Sequence, residues 1–130
     1  MKASLFTAPA AIAAACAAAT TQPSPPPSAG ERAYQKCYSC HAVEPGRNAL
    51  TGPTLYRIVG RPIAAEPGVD YSPALRRFAA ANPRWTPGLL DRFAADPEAL
   101  VPGTTMQFHG MSDPQERKAL LDYLGRLGAP

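Results

Sequence analysis

The stretch Cys-Tyr-Ser-Cys-His, from Cys37 to His41, constrains the fold of this chain more than any other part of the sequence. It brings two thiols and an imidazole close together, so whatever binds these side chains becomes part of the folded structure. Zinc, a redox-active disulfide and haem each use part of such a pattern. Other features of the sequence distinguish among these three possibilities.

Proline is abundant, and the residues typical of strands are scarce. The 130 residues include 16 prolines, and runs of Val, Ile and Thr are nearly absent. This composition predicts one domain of short helices joined by loops rich in proline and glycine. Charge is nearly balanced, with 13 Lys and Arg against 10 Asp and Glu, and no basic run appears. We therefore expect no nucleic-acid partner.

Residues 1–16 have the features of a secretory signal peptide. Lys2 supplies a positive start, and the small, apolar residues that follow carry no charge. The stretch is too short and too rich in alanine to span a bilayer reliably. Export is therefore the better interpretation.

Cys16 ends this leader in the sequence AAAC, which resembles a bacterial lipobox. Lipidation of Cys16 would attach the mature protein to a membrane, and it would explain an odd cysteine in an exported chain. The alternative is cleavage by the ordinary signal peptidase after Ala15 or Ala19. Residues 17–29 are polar and rich in proline, and we predict that they form a linker to a folded domain at residues 30–130.

Capping residues and apolar spacing predict the helices of the folded part. Ser28 and Glu31 form a capping box for a first helix that runs through about Ser39 and carries both cysteines on one face. The dipeptide Asp96-Pro97 is expected to end the third helix. The N-caps predicted for the second, third and last helices are Ser72, Thr86 and Ser112.

The last helix carries a leucine stripe, which we assign to the protein core rather than to a cofactor. Its members are Leu120, Leu121, Leu124 and Leu127. The chain between residues 43 and 70 is mostly loop, and long ordered loops usually surround something functional. The domain is short of core, which indicates that a group other than protein completes it.

Zinc and a redox disulfide fit the rest of the sequence poorly. A closed zinc site needs four Cys or His ligands, and the adjacent Cys40 and His41 are awkward ligands of one tetrahedral ion. A thioredoxin-like dithiol needs a strand before the motif, where a helix is predicted here. C-x-x-C-H is the attachment signature of c-type haem. Cys37 and Cys40 can join the two vinyl groups of one porphyrin edge, and His41 can then bind the iron.

A low-spin electron carrier needs a second iron ligand, for which Met106, Met111 and His109 are the candidates. A methionine usually fills a gap in a core. Met106, however, ends the loop sequence VPGTTM far along the chain from His41, where it can reach the opposite haem face. Thioether ligation favours ferrous iron and raises the reduction potential relative to a bis-histidine site. We therefore predict Met106 as the second ligand.

These motifs, in this order, resemble class I cytochromes c of the mitochondrial and bacterial periplasmic kind over nearly the whole folded part. The similar segments are GERAYQKCYSCH, TGPTLYRIVGR, PGVDYS, Trp85, PGTTM and LLDYL. The resemblance implies an all-α cytochrome c fold, with four to five short helices and long loops wrapped around one covalent haem c. It also implies a contact between the first and last helices through Gly30, Tyr34 and Tyr123.

The resemblance further implies a role for each iron-site residue. Cys37 and Cys40 would form thioethers to the haem. His41 and Met106 would bind the iron. The Pro53 carbonyl would accept a hydrogen bond from His41, which fixes the tautomer of the imidazole and strengthens its donation to iron.

Other residues are assigned by resemblance to the haem periphery. Arg61, Tyr71 and Trp85 would hold the inner haem propionate, and Thr104 would stabilise the methionine loop. Phe93 is a departure, because many relatives have a tyrosine near the methionine sulfur and its hydroxyl is absent here. The ring of lysines around the haem edge is also missing, so the partner is less well defined than the cofactor.

The function implied is the transfer of single electrons between redox protein partners of respiratory or photosynthetic electron flow, without enzymatic activity. We expect a periplasmic monomer, held at the membrane if Cys16 is lipidated. The competing hypothesis is a peroxidase-like haem enzyme, or a subunit of one, with an open or labile iron position. Ligation by Met106 would close that position.

Overall fold

In the computed structural model, which describes residues 22–128, helices and long loops surround one large cavity. This part of the chain forms α1 (Ala29–Tyr34), α2 (Pro73–Ala81), α3 (Pro87–Ala95), α4 (Pro97–Leu100) and α5 (Pro114–Arg126). Over the same residues, β pairing is limited to an isolated bridge between Pro62 and Arg84. The predicted all-α architecture is confirmed. The leader, with Cys16, and the first part of the linker lie outside the described residues.

The helix starts follow from local chemistry that the sequence predicts. The Ser28 hydroxyl accepts a hydrogen bond from the Glu31 N–H, and the Glu31 carboxylate accepts one from the Ser28 N–H at 2.7 Å. This reciprocal capping box is the predicted one. Ser72 and Thr86 cap α2 and α3 with one bond each, in which the hydroxyl accepts from the N–H three residues on, and a proline follows each of them in the first turn. Proline fits there because the first N–H groups of a helix have no partner within it.

The first helix is shorter than predicted. Its α-helical part ends at Tyr34 and not at Ser39. Beyond that point the chain continues as turns, in which the Cys37 N–H donates to the Tyr34 carbonyl at 2.8 Å. Bonds across three residues tighten the chain relative to an α-helix. The Tyr34 hydroxyl also donates to the His41 carbonyl at 2.6 Å, and this bond folds the motif back towards the helix.

Two further boundaries differ from the prediction. Asp96 does end α3, but its side chain also accepts a hydrogen bond from the Ala99 N–H at 3.0 Å and so starts the short helix α4. The last helix begins one residue later than expected, with Asp113 as N-cap in place of Ser112. The Asp113 carboxylate accepts a hydrogen bond from the Gln115 N–H at 2.9 Å.

The first and last helices cross at Gly30, which has no side chain to keep them apart. A Cβ on Gly30 would lie 2.6 Å from the Ala119 carbonyl oxygen of α5, which is closer than real contacts allow. Beside this crossing, the rings of Tyr34 and Tyr123 pack with centroids 5.8 Å apart. The contact expected from Gly30, Tyr34 and Tyr123 is confirmed. It holds the segment with the motif against α5.

The loop between α1 and α2 is fixed by hydrogen bonds rather than by helices. Thr54 is buried, and its hydroxyl donates to the Glu44 carbonyl at 2.7 Å. The Trp85 N–H donates to the Arg61 carbonyl at 2.9 Å, which joins the loop to the segment before α3. No helix among residues 22–128 is long and apolar enough to cross a membrane.

Candidate functional site

A cavity of about 340 Å³ lies between the motif, the long loop, α3, α5 and the segment at residues 101–113. Its walls come from parts of the chain that are far apart in sequence. All of the residues predicted for the site line it: Cys37, Cys40, His41, Pro53, Arg61, Tyr71, Trp85, Thr104 and Met106. The structure therefore brings the whole predicted set to one cavity.

His41 presents a neutral imidazole with a defined tautomer. Its Nδ1 lies 2.7 Å from the Pro53 carbonyl oxygen, which can only accept, so Nδ1 carries the proton and donates it. Burial lowers the pKa of His41, although the bond to Pro53 opposes that shift. The ring is therefore neutral at pH 7 and keeps a lone pair on Nε2, which is the state that binds a metal.

Gly52 lets the loop pass directly against the His41 ring. A Cβ on Gly52 would lie 2.6 Å from Nδ1 and 2.9 Å from Nε2. The Gly52 N–H donates to the Cys40 carbonyl at 2.7 Å, which ties the loop to the motif. The imidazole is thus held from one side by backbone alone.

The two cysteines of the motif are free thiols on the cavity wall. Burial raises the pKa of Cys37 to about 11, with the nearby Cys40 adding to the shift. Cys37 is therefore protonated at neutral pH, whereas the attacking cysteine of a redox dithiol has a lowered pKa. Among residues 22–128, no group of three or more His, Cys, Asp or Glu side chains is placed to hold a metal ion. Neither observation favours zinc or a thioredoxin-like function.

The three candidates for the second iron ligand occupy different environments. Met106 is half-buried and lines the cavity, and its N–H donates to the Thr104 hydroxyl at 3.3 Å. Met111 also lines the cavity but is 1% exposed, and its N–H is tied to the Ala94 carbonyl at 2.8 Å. His109 is exposed and does not line the cavity. Of the three, Met106 is the loop methionine that lines the cavity without being packed into the core.

One end of the cavity is polar. The Arg61 guanidinium donates to the Tyr56 carbonyl at 3.2 Å and lies 3.4 Å from the Glu66 carboxylate. Tyr71 lies beside them, and its hydroxyl accepts a hydrogen bond from the Glu66 N–H at 3.3 Å. Burial lowers the pKa of Arg61 and raises that of Tyr71. Trp85 is 6% exposed and packs on Phe93 with ring centroids 5.1 Å apart.

Most of the remaining wall is apolar, and the sequence alone did not identify most of these residues as part of the site. The leucine stripe of α5 was assigned to core, yet three of its four members line the cavity. A stripe on a helix cannot distinguish a protein core from a flat apolar cofactor, since both exclude water. Apolar residues of the wall include Ile58, Leu75, Leu90, Phe93, Phe108, Met111, Leu120, Leu121 and Leu124.

These features fit a haem. Two thiols and a neutral imidazole stand at one wall, a thioether at another, and an arginine and a tyrosine at one end of a largely apolar cavity. A porphyrin needs an apolar enclosure for its ring and polar groups for its two acidic side chains. Covalent attachment needs free thiols, and both are present.

Comparison with known proteins gives one consistent family. No protein-family model matches the chain. Cytochrome c2 of Agrobacterium tumefaciens (strain II Chrys) is 36% identical over 95 residues, which cover 73% of this chain and 86% of that protein. Cytochrome c2 of Rhodopila globiformis is 41% identical over 91 residues, which cover 70% of this chain and 82% of that protein.

Solved structures agree in both sequence and shape. A structure of cytochrome c2 from Rhodospirillum centenum matches with a TM-score of 0.71 at 30% identity, over 77% of this chain and 96% of that one. Cytochrome cH from Methylobacterium extorquens matches with a TM-score of 0.66 at 37% identity, over 74% of this chain and 93% of that one.

Proposed function

This chain belongs to the class I cytochrome c family, and from that premise we propose that its cavity holds the haem through Cys37, Cys40, His41 and Met106. The protein is a monohaem c-type cytochrome that carries single electrons, and it is not an enzyme. The observation that carries the residue assignment is the cavity itself. It gathers all of the predicted haem-site residues, from segments that are far apart in sequence, around one space.

The iron of a bound haem supplies the one-electron change between ferrous and ferric states. The chain supplies the environment that sets how readily this change occurs. His41 is oriented by the Pro53 carbonyl, which makes its Nε2 a stronger donor. Met106 would offer a thioether, which favours the ferrous state, and the apolar wall keeps water away from the ring.

The polar end of the cavity suits the haem propionates. We assign Arg61 and Tyr71 to the inner propionate, together with the indole of Trp85. All three line the same cavity. Thr104 would hold the methionine loop through the bond that its hydroxyl accepts from the Met106 N–H.

The partners are redox proteins, for which this chain is an electron carrier. We propose that it works as a monomer in the periplasm, within respiratory or photosynthetic electron flow. The lysine ring of many relatives is absent, and Lys36, which lines the cavity, is paired with Glu116 at 2.6 Å. Electrostatic steering by a positive rim is therefore expected to be weak.

The ligand assignment is tested by substitution and optical spectroscopy of protein matured with haem. Met106→Ala should remove the weak far-red band of methionine-ligated ferric haem and lower the reduction potential, because a thioether ligand is lost. The matched controls Met111→Ala and His109→Ala should do neither. Loss of the native spectrum in His109→Ala, with Met106→Ala unchanged, would show that the second ligand is a histidine.

We further propose that Cys16 is lipidated and that residues 17–29 tether the domain to a membrane. The linker would reach about 40 Å if extended at about 3.1 Å per residue. Without Lys2 the chain has 12 basic and 10 acidic residues, a net charge of +2, which is too small for strong electrostatic adhesion. A diacylglycerol on one cysteine provides the two chains that stable anchoring needs.

Fractionation of cells tests the anchor. Wild-type protein should remain with membranes through a salt wash, and Cys16→Ser should be released in soluble form with an unchanged haem spectrum. A wild-type protein that is fully soluble, with a mature N-terminus beyond Cys16, would reject the anchor. It would leave the electron-carrier function intact.

A further inference from the structure

Glu66 is an acidic side chain directly behind the polar end of the cavity. Its carboxylate lies 3.4 Å from the Arg61 guanidinium, and each of the two side chains is only 15% exposed. Its backbone N–H donates to the Tyr71 hydroxyl at 3.3 Å. Glu66 therefore contacts both of the side chains that we assign to the haem propionate, although it does not itself line the cavity.

The carboxylate is held in place by an earlier part of the same loop. The Asn48 side-chain amide donates to Glu66 at 3.0 Å and reaches the Pro67 carbonyl at 3.4 Å. The Asn48 side-chain oxygen in turn accepts a hydrogen bond from the Thr54 N–H at 2.8 Å. Because Thr54 is buried, this chain of bonds keeps Glu66 turned towards Arg61 instead of solvent.

The cationic charge at this end of the cavity is limited. Along residues 22–128, Lys36 and Arg61 are the Lys and Arg side chains on the cavity wall, and Lys36 is paired with Glu116. Asp70 also lines the cavity and pairs with Arg76 at 3.4 Å. The positive charge of Arg61 is therefore shared between Glu66 and any acidic group that enters the cavity.

We propose that Glu66 positions Arg61 and lowers the reduction potential of the haem, by holding a half-buried negative charge behind the propionate site. The inference rests on the proposed function. A negative charge near the iron favours the ferric state, which carries one more positive charge than the ferrous state. Screening by solvent is reduced because both side chains of the ion pair are largely covered.

Redox titration of the haem-loaded protein measures the effect. Glu66→Gln keeps the side-chain size and an oxygen that can accept from Asn48, but removes the charge. At a fixed solution potential we expect the ratio of ferrous to ferric protein to rise roughly three- to tenfold, a tenfold change being about 59 mV for one electron. Glu66→Ala removes the same charge with a smaller side chain and should shift the ratio in the same direction.

Two controls separate charge from structure. Glu44→Gln makes the same change in net charge at a carboxylate that is 56% exposed and lies outside the cavity wall, so its ratio should move less than about twofold. Asn48→Ala breaks the bond to Glu66 but keeps the charge. It should lower the unfolding midpoint and raise the ratio less than Glu66→Gln does.

The outcomes are distinct. If the ferrous-to-ferric ratio of Glu66→Gln is no larger than that of Glu44→Gln, the proposal is overturned. An Asn48→Ala ratio as large as that of Glu66→Gln would also overturn it, since displacement of the loop would then explain the shift without any loss of charge. Wild-type protein that takes up no haem, seen as an unstained band on a denaturing gel, would overturn the proposed function as well. A stained, normally ligated wild type with an unshifted Glu66→Gln variant refutes only the role of Glu66.

Discussion

Gly52→Ala is the substitution that tests most directly how the chain holds His41. The new Cβ would lie within 3 Å of three atoms of the His41 ring. Two hydrogen bonds oppose any movement of the ring or the loop that would relieve this clash. The ring is tied to the Pro53 carbonyl at 2.7 Å, and the Gly52 N–H is tied to the Cys40 carbonyl at the same distance. Either the ring tilts and loses the first bond, or the loop retreats and loses the second.

The expected loss of stability follows from these contacts. One broken hydrogen bond in a partly buried site costs roughly 1–1.5 kcal/mol. Overpacking by one methyl group in a tight site adds about 1–3 kcal/mol. The sum is roughly 2–4.5 kcal/mol, which lowers the midpoint of thermal unfolding of a domain of this size by about 10–25 °C.

Thermal unfolding of the haem-loaded protein, followed by circular dichroism, measures this loss. Gly125→Ala is the matched control, because a Cβ at Gly125 in α5 meets nothing within 4 Å. Alanine replaces glycine within a helix there and should leave the midpoint unchanged or slightly higher. A Gly52→Ala variant that unfolds within a few degrees of wild type, with an unchanged haem spectrum, would refute the idea that backbone contact alone fixes the imidazole.

Two other changes test the methionine loop and the helix crossing. Gly110→Ala adds a Cβ that collides with the Ala95 carbonyl at a φ of +88°, so it should destabilise the protein by roughly 3 kcal/mol and weaken the far-red methionine band. Gly68→Ala, at a φ of +77° in open space, should lower the free energy of unfolding by only about 1 kcal/mol. Equal losses of stability in Gly110→Ala and Gly68→Ala would contradict the clash at Gly110. Burial raises the pKa of Tyr123, so its contribution to stability is present below about pH 10 and is lost as the pH rises above it. The free energy of unfolding should therefore fall less between pH 9 and 11 in Tyr123→Phe than in wild type, and parallel profiles would contradict this.

The parts of the fold that the sequence predicts well are those decided by neighbouring residues. The capping box of Ser28 and Glu31 needs only a spacing of three residues, and Ser72 and Thr86 are each followed by a proline. The early end of α1 was not predictable in this way. It accompanies a bond from the Tyr34 hydroxyl to the His41 carbonyl, which is a contact of the folded structure. Helix α4 was missed because four residues are too few to show a helical period.

The same distinction applies to the site. The C-x-x-C-H motif identifies its cofactor from five consecutive residues, and the residues assigned by resemblance line the same cavity as the motif. Glu66 gave no such signal, because it lies in an irregular loop and its partners Arg61, Asn48 and Tyr71 have no regular spacing. The leucines of α5 were identified as apolar, but only the folded structure shows which of them face the cavity.

The crossing of α1 and α5 at Gly30 also determines the order in which the protein can be completed. About 90 residues separate the two contact partners, and closing so long a loop is slow relative to forming a local turn. A chain that is synthesised amino end first presents the thiols of Cys37 and Cys40 before α5 has been made. During that interval the future cavity lacks the wall that α5 supplies, and a planar group has its widest access to both thiols. Docking of the final helix then encloses whatever has been attached, so a chain truncated before Pro114 would display the motif but could not enclose the group it holds.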